Sequence, residues 1–250
     1  MKYLKHYITL IAICFVSSGI YSQNESGKFE HQIIAGFNIG ASAPVGLPAE
    51  IRTIDGFWPQ FTPRLGYNVR YALDEKWMVG SGIVLDYKGM GTKATVKYIY
   101  TRVRLSGESN SGDMEGYFVG KNKTEVKAAY VTIPLTLNYA VNKKWIARAG
   151  GYASYAFSKE FNGEVSDGYL RKETMTGERI EIDKADFEFN NDMRKFDFGL
   201  LLGAEMKVNN KFGISGDLSW GLTPIFPSSF TGMKFNMYNI YFALGLTYKL

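Results

Sequence analysis

The stretch FTPRLGYNVRYAL, residues 61–73, decides the fold. On a β-strand, successive side chains point to opposite sides. One side then carries Phe61, Pro63, Leu65, Tyr67, Val69, Tyr71 and Leu73, and the other carries Thr62, Arg64, Gly66, Asn68, Arg70 and Ala72. The first row is apolar without interruption; the second is polar or small. A tilted membrane-crossing strand needs ~9–11 residues, whereas strands of water-soluble domains mostly run ~5–6. A row this long, with polar and charged residues opposite, predicts a strand with lipid on its apolar side.

The pattern recurs outward from there. Ile33, Ala35, Phe37 and Ile39 alternate with Gln32, Ile34, Gly36 and Asn38, and Trp77 through Tyr87 alternates with Met78 through Lys88. Residues 129–141, 145–157, 196–208, 212–222 and 238–250 alternate in the same way. These segments predict an all-β fold, an eight-stranded antiparallel transmembrane β-barrel; bacterial barrels of this kind have an even strand number. The connections alternate between short turns and long loops. The short ones centre on Asp74-Glu75-Lys76, Asn142-Lys143-Lys144 and Asn209-Asn210, spaced 68 and 67 residues apart, and Trp77, Trp145 and Phe212 follow them. The long ones span residues 41–60, 89–124, 158–195 and 223–234. Short periplasmic turns and long extracellular loops are the expected asymmetry, with both termini in the periplasm. Trp77 and Trp145 then mark the periplasmic interface, and Tyr87, Phe157 and Trp220 the outer one, where amphipathic rings are favoured. Within the long connections, residues 92–105 read as strand extensions above the membrane, residues 106–116 as a hairpin tip, and residues 167–188 as a charged, mobile loop.

The remaining composition agrees. Aromatic residues make up 15% of the 250-residue chain, as strands and interfacial girdles require. Mean hydropathy is only −0.15, so apolar residues are dispersed rather than gathered into long runs. The N-terminus has basic Lys2 and Lys5, an apolar core from Tyr7 to Val16, then small residues before Gln23. That order marks residues 1–22 as a cleaved signal peptide and residues 23–250 as the barrel domain, exported to the outer membrane. Cys14, the chain's single cysteine, lies within the signal after Ile13, a context that fits no lipid anchor and leaves the mature chain without disulfides. Removing Lys2 and Lys5 takes the formal charge from +5 to +3, too mild to point to nucleic acid.

The segment Tyr130-Val131-Thr132-Ile133-Pro134-Leu135, with Asn138 and Tyr139 behind it, resembles a strand motif of the PorT-like outer-membrane β-barrel family. Gly150-Gly151-Tyr152, Phe196-Asp197-Phe198-Gly199-Leu200 with Gly203, Gly221-Leu222-Thr223 and Leu244-Gly245-Leu246-Thr247-Tyr248 fit the same pattern. Thr132 stands where an acidic residue is usual and Thr136 where an apolar one is. The resemblance implies fold and location; some relatives assist a protein secretion machinery, but no motif residue carries that role. Pro134 cannot donate to a strand ladder, so a bulge or a locally open pair is expected beside it.

The candidate site is a lumen charge network: Arg64, Arg70, Asp86, Arg148, Asp197, Glu205 and Asp217 all fall on inward faces. An eight-stranded barrel is just wide enough for side chains to fill. Buried charges must pair. The network is therefore expected to plug the lumen, with inward glycines (Gly66, Gly80, Gly82, Gly150 and Gly203) making room for long side chains. No catalytic, cofactor or metal site is expected. His31, the mature chain's single histidine, reads as an interfacial residue, and Asp197-Phe198-Gly199 lacks the phosphate loop that would make it kinase-like. The expected function is non-enzymatic: an envelope structural or interaction role through long outer loops, with outer-membrane lipid and other envelope proteins as partners. A narrow solute channel is the alternative, and a hydrolase ranks last.

Overall fold

A computed structural model describes residues 28–105 and 114–250. The signal segment lies outside the described residues, as does the expected hairpin tip up to residue 113. Among the described residues, ten strands form one antiparallel sheet: β1 (Phe29–Ala43), β2 (Ile51–Pro59), β3 (Pro63–Ala72), β4 (Trp77–Leu105), β5 (Met114–Ala140), β6 (Trp145–Lys172), β7 (Arg179–Glu188), β8 (Phe196–Lys207), β9 (Phe212–Gly221) and β10 (Tyr238–Lys249).

Eight of them close a ring. The pairs run β1–β3–β4–β5–β6–β8–β9–β10, and β10 returns to β1. Closure leaves no edge strand, which a lipid environment requires because unpaired backbone groups find no water there. The two remaining strands lie above this ring. β2 continues the crossing of β3 after a break at residues 60–62 and pairs with β4 from Ile51↔Val96 to Pro59↔Met90. β7 continues the crossing of β8 in the same way, pairing with the upper part of β6 and touching the end of β4 at Arg104↔Asp186.

The lower ring is polar inside and apolar outside. Leu135, Leu200 and Leu246 are 63%, 55% and 62% exposed, while Arg70 and Glu205 are each 2% exposed. Above it the arrangement reverses. Val96, Phe118, Phe161, Leu170, Ile182 and Phe226 belong to an apolar core inside the extension, closed over by Phe230, Met233 and Phe235 of the β9–β10 connection. The extension is thus an extracellular lobe with its own core.

Two expected loops are corrected here. Residues 41–60 contain β2, and residues 167–188 fall on the end of β6 and on β7 rather than in a mobile loop. The physical reason is visible on β4. The face that carries Gly80, Asp86 and Lys88 continues upward as Met90, Ala94 and Val96, and the face that carries Ile83, Leu85 and Tyr87 continues as Lys93, Thr95 and Lys97. Strand periodicity persists; only the sense of inside and outside polarity changes.

The three short turns share one geometry. Asp74 Oδ1 accepts the N–H groups of Lys76 and Trp77 at 2.7 and 2.8 Å. Asn142 does the same for Lys144 and Trp145, and Asn209 for Lys211 and Phe212. The 67–68-residue repeat is therefore an Asx-turn repeat, in which a short side-chain acceptor replaces a backbone carbonyl. Beside Pro134 the β4–β5 ladder passes from Ser81↔Leu135 to Val84↔Thr132 in unchanged register, so two residue pairs open there without a bulge. Ser81 donates its hydroxyl to the Pro134 carbonyl at 2.9 Å.

Candidate functional site

The ring brings the seven lumen charges into one column. Near the periplasmic end, Arg70 bonds Glu205 and reaches Glu30 at 3.1 Å. Gln32 donates to the other Glu205 oxygen at 2.9 Å. At mid-height, Asp217 is shared: Arg148 Nε lies 2.5 Å from one oxygen and Arg64 Nη1 3.0 Å from the other. Arg148 also lies 3.7 Å from Glu205, and Arg64 lies 3.9 Å from Asp86, so the groups form a continuous network. Asn38 donates to Asp86 at 2.7 Å. At the outer end Asp197 accepts from Tyr152 at 3.1 Å and from Asn239 at 2.9 Å.

The sequence reading placed Lys88 on this face but left it out of the network. Its ammonium stands 3.4 Å from Asp197 and faces the rings of Tyr130, Tyr152 and Tyr241 at 5.1, 4.9 and 5.8 Å. The signal available in sequence was its period-two spacing from Asp86. With Lys88 included, four cations (Arg64, Arg70, Lys88, Arg148) face four carboxylates (Asp86, Asp197, Glu205, Asp217). Gaps among these side chains measure about 20 and 10 Å³. Each is on the order of a single water, for which ~10–15 Å³ suffices.

The glycines divide by role. A Cβ on Gly203 would lie 2.0 Å from Asp217 Oδ1 and 3.0 Å from Arg148 Nε, so that glycine makes room for the network. Gly80 borders Arg70 but more closely Asn138 and Thr136. Gly66, Gly82 and Gly150 instead admit Val84, Asn68 and the backbone of Leu135 and Thr136.

His31 lies on the outward face near the periplasmic end, its Nδ1 2.6 Å from the Tyr67 hydroxyl. Phe29–Tyr71, Trp77–Tyr139 and Phe212–Tyr248 ring pairs stand at the same end, with centroids 4.7–5.1 Å apart. Tyr87–Phe157, Tyr155–Phe196 and Phe37–Phe61 pairs stand at the other. These are the two interfacial girdles. Among the described residues, no group of three or more His, Cys, Asp or Glu side chains is placed to hold a metal ion.

On the outside of the lobe the charges are paired in water. Lys121 and Asp167 meet at 2.8 Å, and that hydrogen bond raises the Lys121 ammonium above its ordinary range. Asp55 accepts from Thr53 and Thr95, both at 2.7 Å, which holds its carboxyl below the usual range.

No curated protein matches this sequence. Among solved structures, the chain is similar to Ail, the attachment invasion locus protein of Yersinia pestis. The Ail complex with the heparin analogue sucrose octasulfate is 12% identical, with a TM-score of 0.38, covering 89% of this chain and 99% of that one. A second Ail structure is 11% identical with a TM-score of 0.34, covering 90% and 99%. A Pseudomonas aeruginosa FadL homologue is 8% identical with a TM-score of 0.17, covering 89% of each chain. Residues 21–227 match the family described as outer membrane protein beta-barrel domain, and the chain belongs to that family.

Proposed function

We propose that this outer-membrane barrel is a non-enzymatic envelope protein that acts through its extracellular lobe, and that its lumen is a structural plug rather than a conduit. One observation carries the reading: the eight charges deepest in the lumen are four against four and paired side chain to side chain inside the closed ring, and Glu30 at the periplasmic rim is shared by Arg70 and Lys249. An ion moving through would have to break pairs whose partners cannot be solvated in so narrow a space. The apolar core of the lobe stacked above the ring adds a second obstacle. What remains for interaction is the lobe, built from β2, the upper halves of β4, β5 and β6, and β7. Residues 1–22 fit this reading as an export signal removed from a barrel domain of residues 23–250, with outer-membrane lipid and other envelope proteins as partners.

Single-channel recording of the refolded protein in a planar bilayer tests the proposal. A folded barrel without conductance steps is the expected result. Discrete, reproducible openings would overturn it in favour of a narrow channel, with Arg64, Arg70 and Arg148 setting its selectivity.

A further inference from the structure

The wall of the barrel parts on one side, at the height of the outer girdle. β1 pairs with β3 only as far as Phe37↔Pro63, and the last backbone bond between them runs from Asn38 N to Thr62 O at 2.9 Å. Above this point the two chains follow different neighbours. β1 stays on β10 up to Ala43↔Tyr238, while β2 stays on β4. A slot opens between them. It starts at the outer girdle and rises above it: on β1 Ala41 lies four residues beyond the girdle residue Phe37, and on β2 Phe57 lies four residues beyond Phe61.

Behind the slot lies a cavity of about 430 Å³. That is within the ~300–1,000 Å³ usual for small-ligand sites. Ala41 and Ala43 form one lip, Ile54 and Phe57 the other; Met90 is buried behind them, and Met233 of the β9–β10 connection closes the cavity from above. No charged side chain lines it. Two of its polar groups satisfy one another, Thr124 donating to Asn122 at 3.3 Å, and Ser42 donates to Asn239 at 2.7 Å. Met side chains adapt to irregular apolar shapes, which suits a flexible occupant. The apolar surface is continuous from the membrane into the cavity. Phe37 and Phe61 pair at 5.8 Å on the lipid-facing belt directly below, and Ile54 and Phe57 remain 58% and 49% exposed at the lip.

We propose that this slot admits an acyl chain of an outer-leaflet lipid, which passes sideways between β1 and β2 into the cavity while its headgroup stays outside. The uncharged lining excludes an ionised headgroup, because an unpaired charge there would be desolvated without compensation. The foot of the opening lies at the outer girdle, and the exposed side chains of Phe37, Phe61, Phe57 and Ile54 lead into it from the lipid-facing belt, where acyl chains are the abundant apolar groups. The inference goes beyond the interaction role proposed above and holds whether or not the lumen conducts.

The test uses the full mature protein in nanodiscs of phosphatidylcholine that carries a diazirine near the end of one acyl chain. After irradiation, adducts are mapped by peptide mass spectrometry. The expected result is labelling on residues 90–99 and 233–237 in addition to belt residues such as Leu135 and Leu200. Ala94→Trp and Met233→Trp fill the cavity from different walls. Each is expected to lose the cavity adducts and keep the belt adducts, with folding checked by heat-modifiable gel mobility. Wild-type protein labelled on the belt alone would overturn the proposal without reference to any variant. So would cavity labelling that survives in both folded variants, or that arises from a diazirine fatty alcohol added through water but not from the bilayer lipid.

Discussion

Asp217→Asn tests the lumen network at its most shared point. The carboxylate holds Arg148 at 2.5 Å and Arg64 at 3.0 Å, and all three side chains are no more than 9% exposed. The amide is nearly isosteric, so the change isolates charge. It leaves four cations against three carboxylates. Each arginine keeps a longer contact, Arg148 to Glu205 at 3.7 Å and Arg64 to Asp86 at 3.9 Å. Removing one partner of a buried pair costs about 3–5 kcal/mol, since the stranded charge has no water to turn to. The contrast is Asp167→Asn on the lobe surface. Its partner Lys121 is comparably close, at 2.8 Å, but the two side chains are 62% and 67% exposed. Solvent screening limits that pair to about 0–1 kcal/mol. Distance alone would rank the two pairs similarly; burial ranks them far apart. Urea unfolding in lipid vesicles, followed by tryptophan emission, measures both. The double variant Arg64→Met with Asp217→Asn restores three against three and should recover part of the loss, which a double-mutant cycle reads directly. A cost for Asp217→Asn of under ~1 kcal/mol, equal to the surface pair, would mean a hydrated lumen and refute the plug.

Other outcomes follow from the same geometry. Leu200→Arg puts a cation on the lipid side and should destabilise insertion by ~2–4 kcal/mol if it lies near the midplane, read as a lower folded fraction in vesicles; unimpaired folding would reverse the inside–outside assignment. Gly203→Val should disrupt the Arg148–Asp217 pair through a Cβ placed 2.0 Å from the carboxylate, and should lower the urea midpoint more than Gly151→Val, whose Cβ meets its nearest neighbour at 3.2 Å. The Asp74 carboxyl is held below its ordinary range by the N–H groups of Lys76 and Trp77. Its contribution to the turn is therefore present above the usual Asp range and lost as pH falls through the depressed value. Asp74→Asn keeps the acceptor, as Asn142 and Asn209 do, and should make hydrogen exchange at the Trp77 amide independent of that titration. An unchanged acid response in the variant would contradict this.

Much of the lower barrel was legible because lipid enforces a strict rule. Every outward position from Phe61 to Leu73 had to be apolar, and the backbone of each crossing had to pair on both sides. The lumen was legible at Arg64, Arg148 and Asp217 for a related reason: an arginine at an inward position needs an acid near it. Lys88 was overlooked because its neighbours are mostly aromatic, and the rings that face it come from β5, β6 and β10, far apart in sequence. The lobe was the least legible part. Residues 92–105 were legible as a strand extension from their β-branched and aromatic residues, and β4 does run on to Leu105. The segments of β2 and β7 were not, because charged residues such as Arg52, Asp55, Lys184 and Asp186 interrupt the apolar outer row by which the membrane strands are recognised.

The reversal of polarity along the wall also bears on how the molecule stands in the membrane. Below Lys88 the wall is apolar outside, so it cannot rise into water without exposing Leu85, Leu135 and Leu200. Above it the wall is charged outside, so it cannot sink into lipid without desolvating Lys93, Lys121 and Lys123. Both displacements are opposed within a few residues of the same level. At that level the interior also changes character, and the residues there serve both sides. Lys88 completes the charge count of the lumen through Asp197, and its ammonium also faces the rings of Tyr130, Tyr152 and Tyr241, above which the lobe has its apolar core. A cation on desolvated rings is worth about 2 kcal/mol or more. Lys88→Met would keep the stem and remove the ammonium, leaving Asp197 with hydrogen bonds from Tyr152 and Asn239 alone. The junction is thus the place where one substitution tests the polar interior and the apolar one together: urea unfolding should show the ring and the lobe destabilised jointly, and a lobe that keeps its full stability while the ring weakens would show that the two cores are not coupled there.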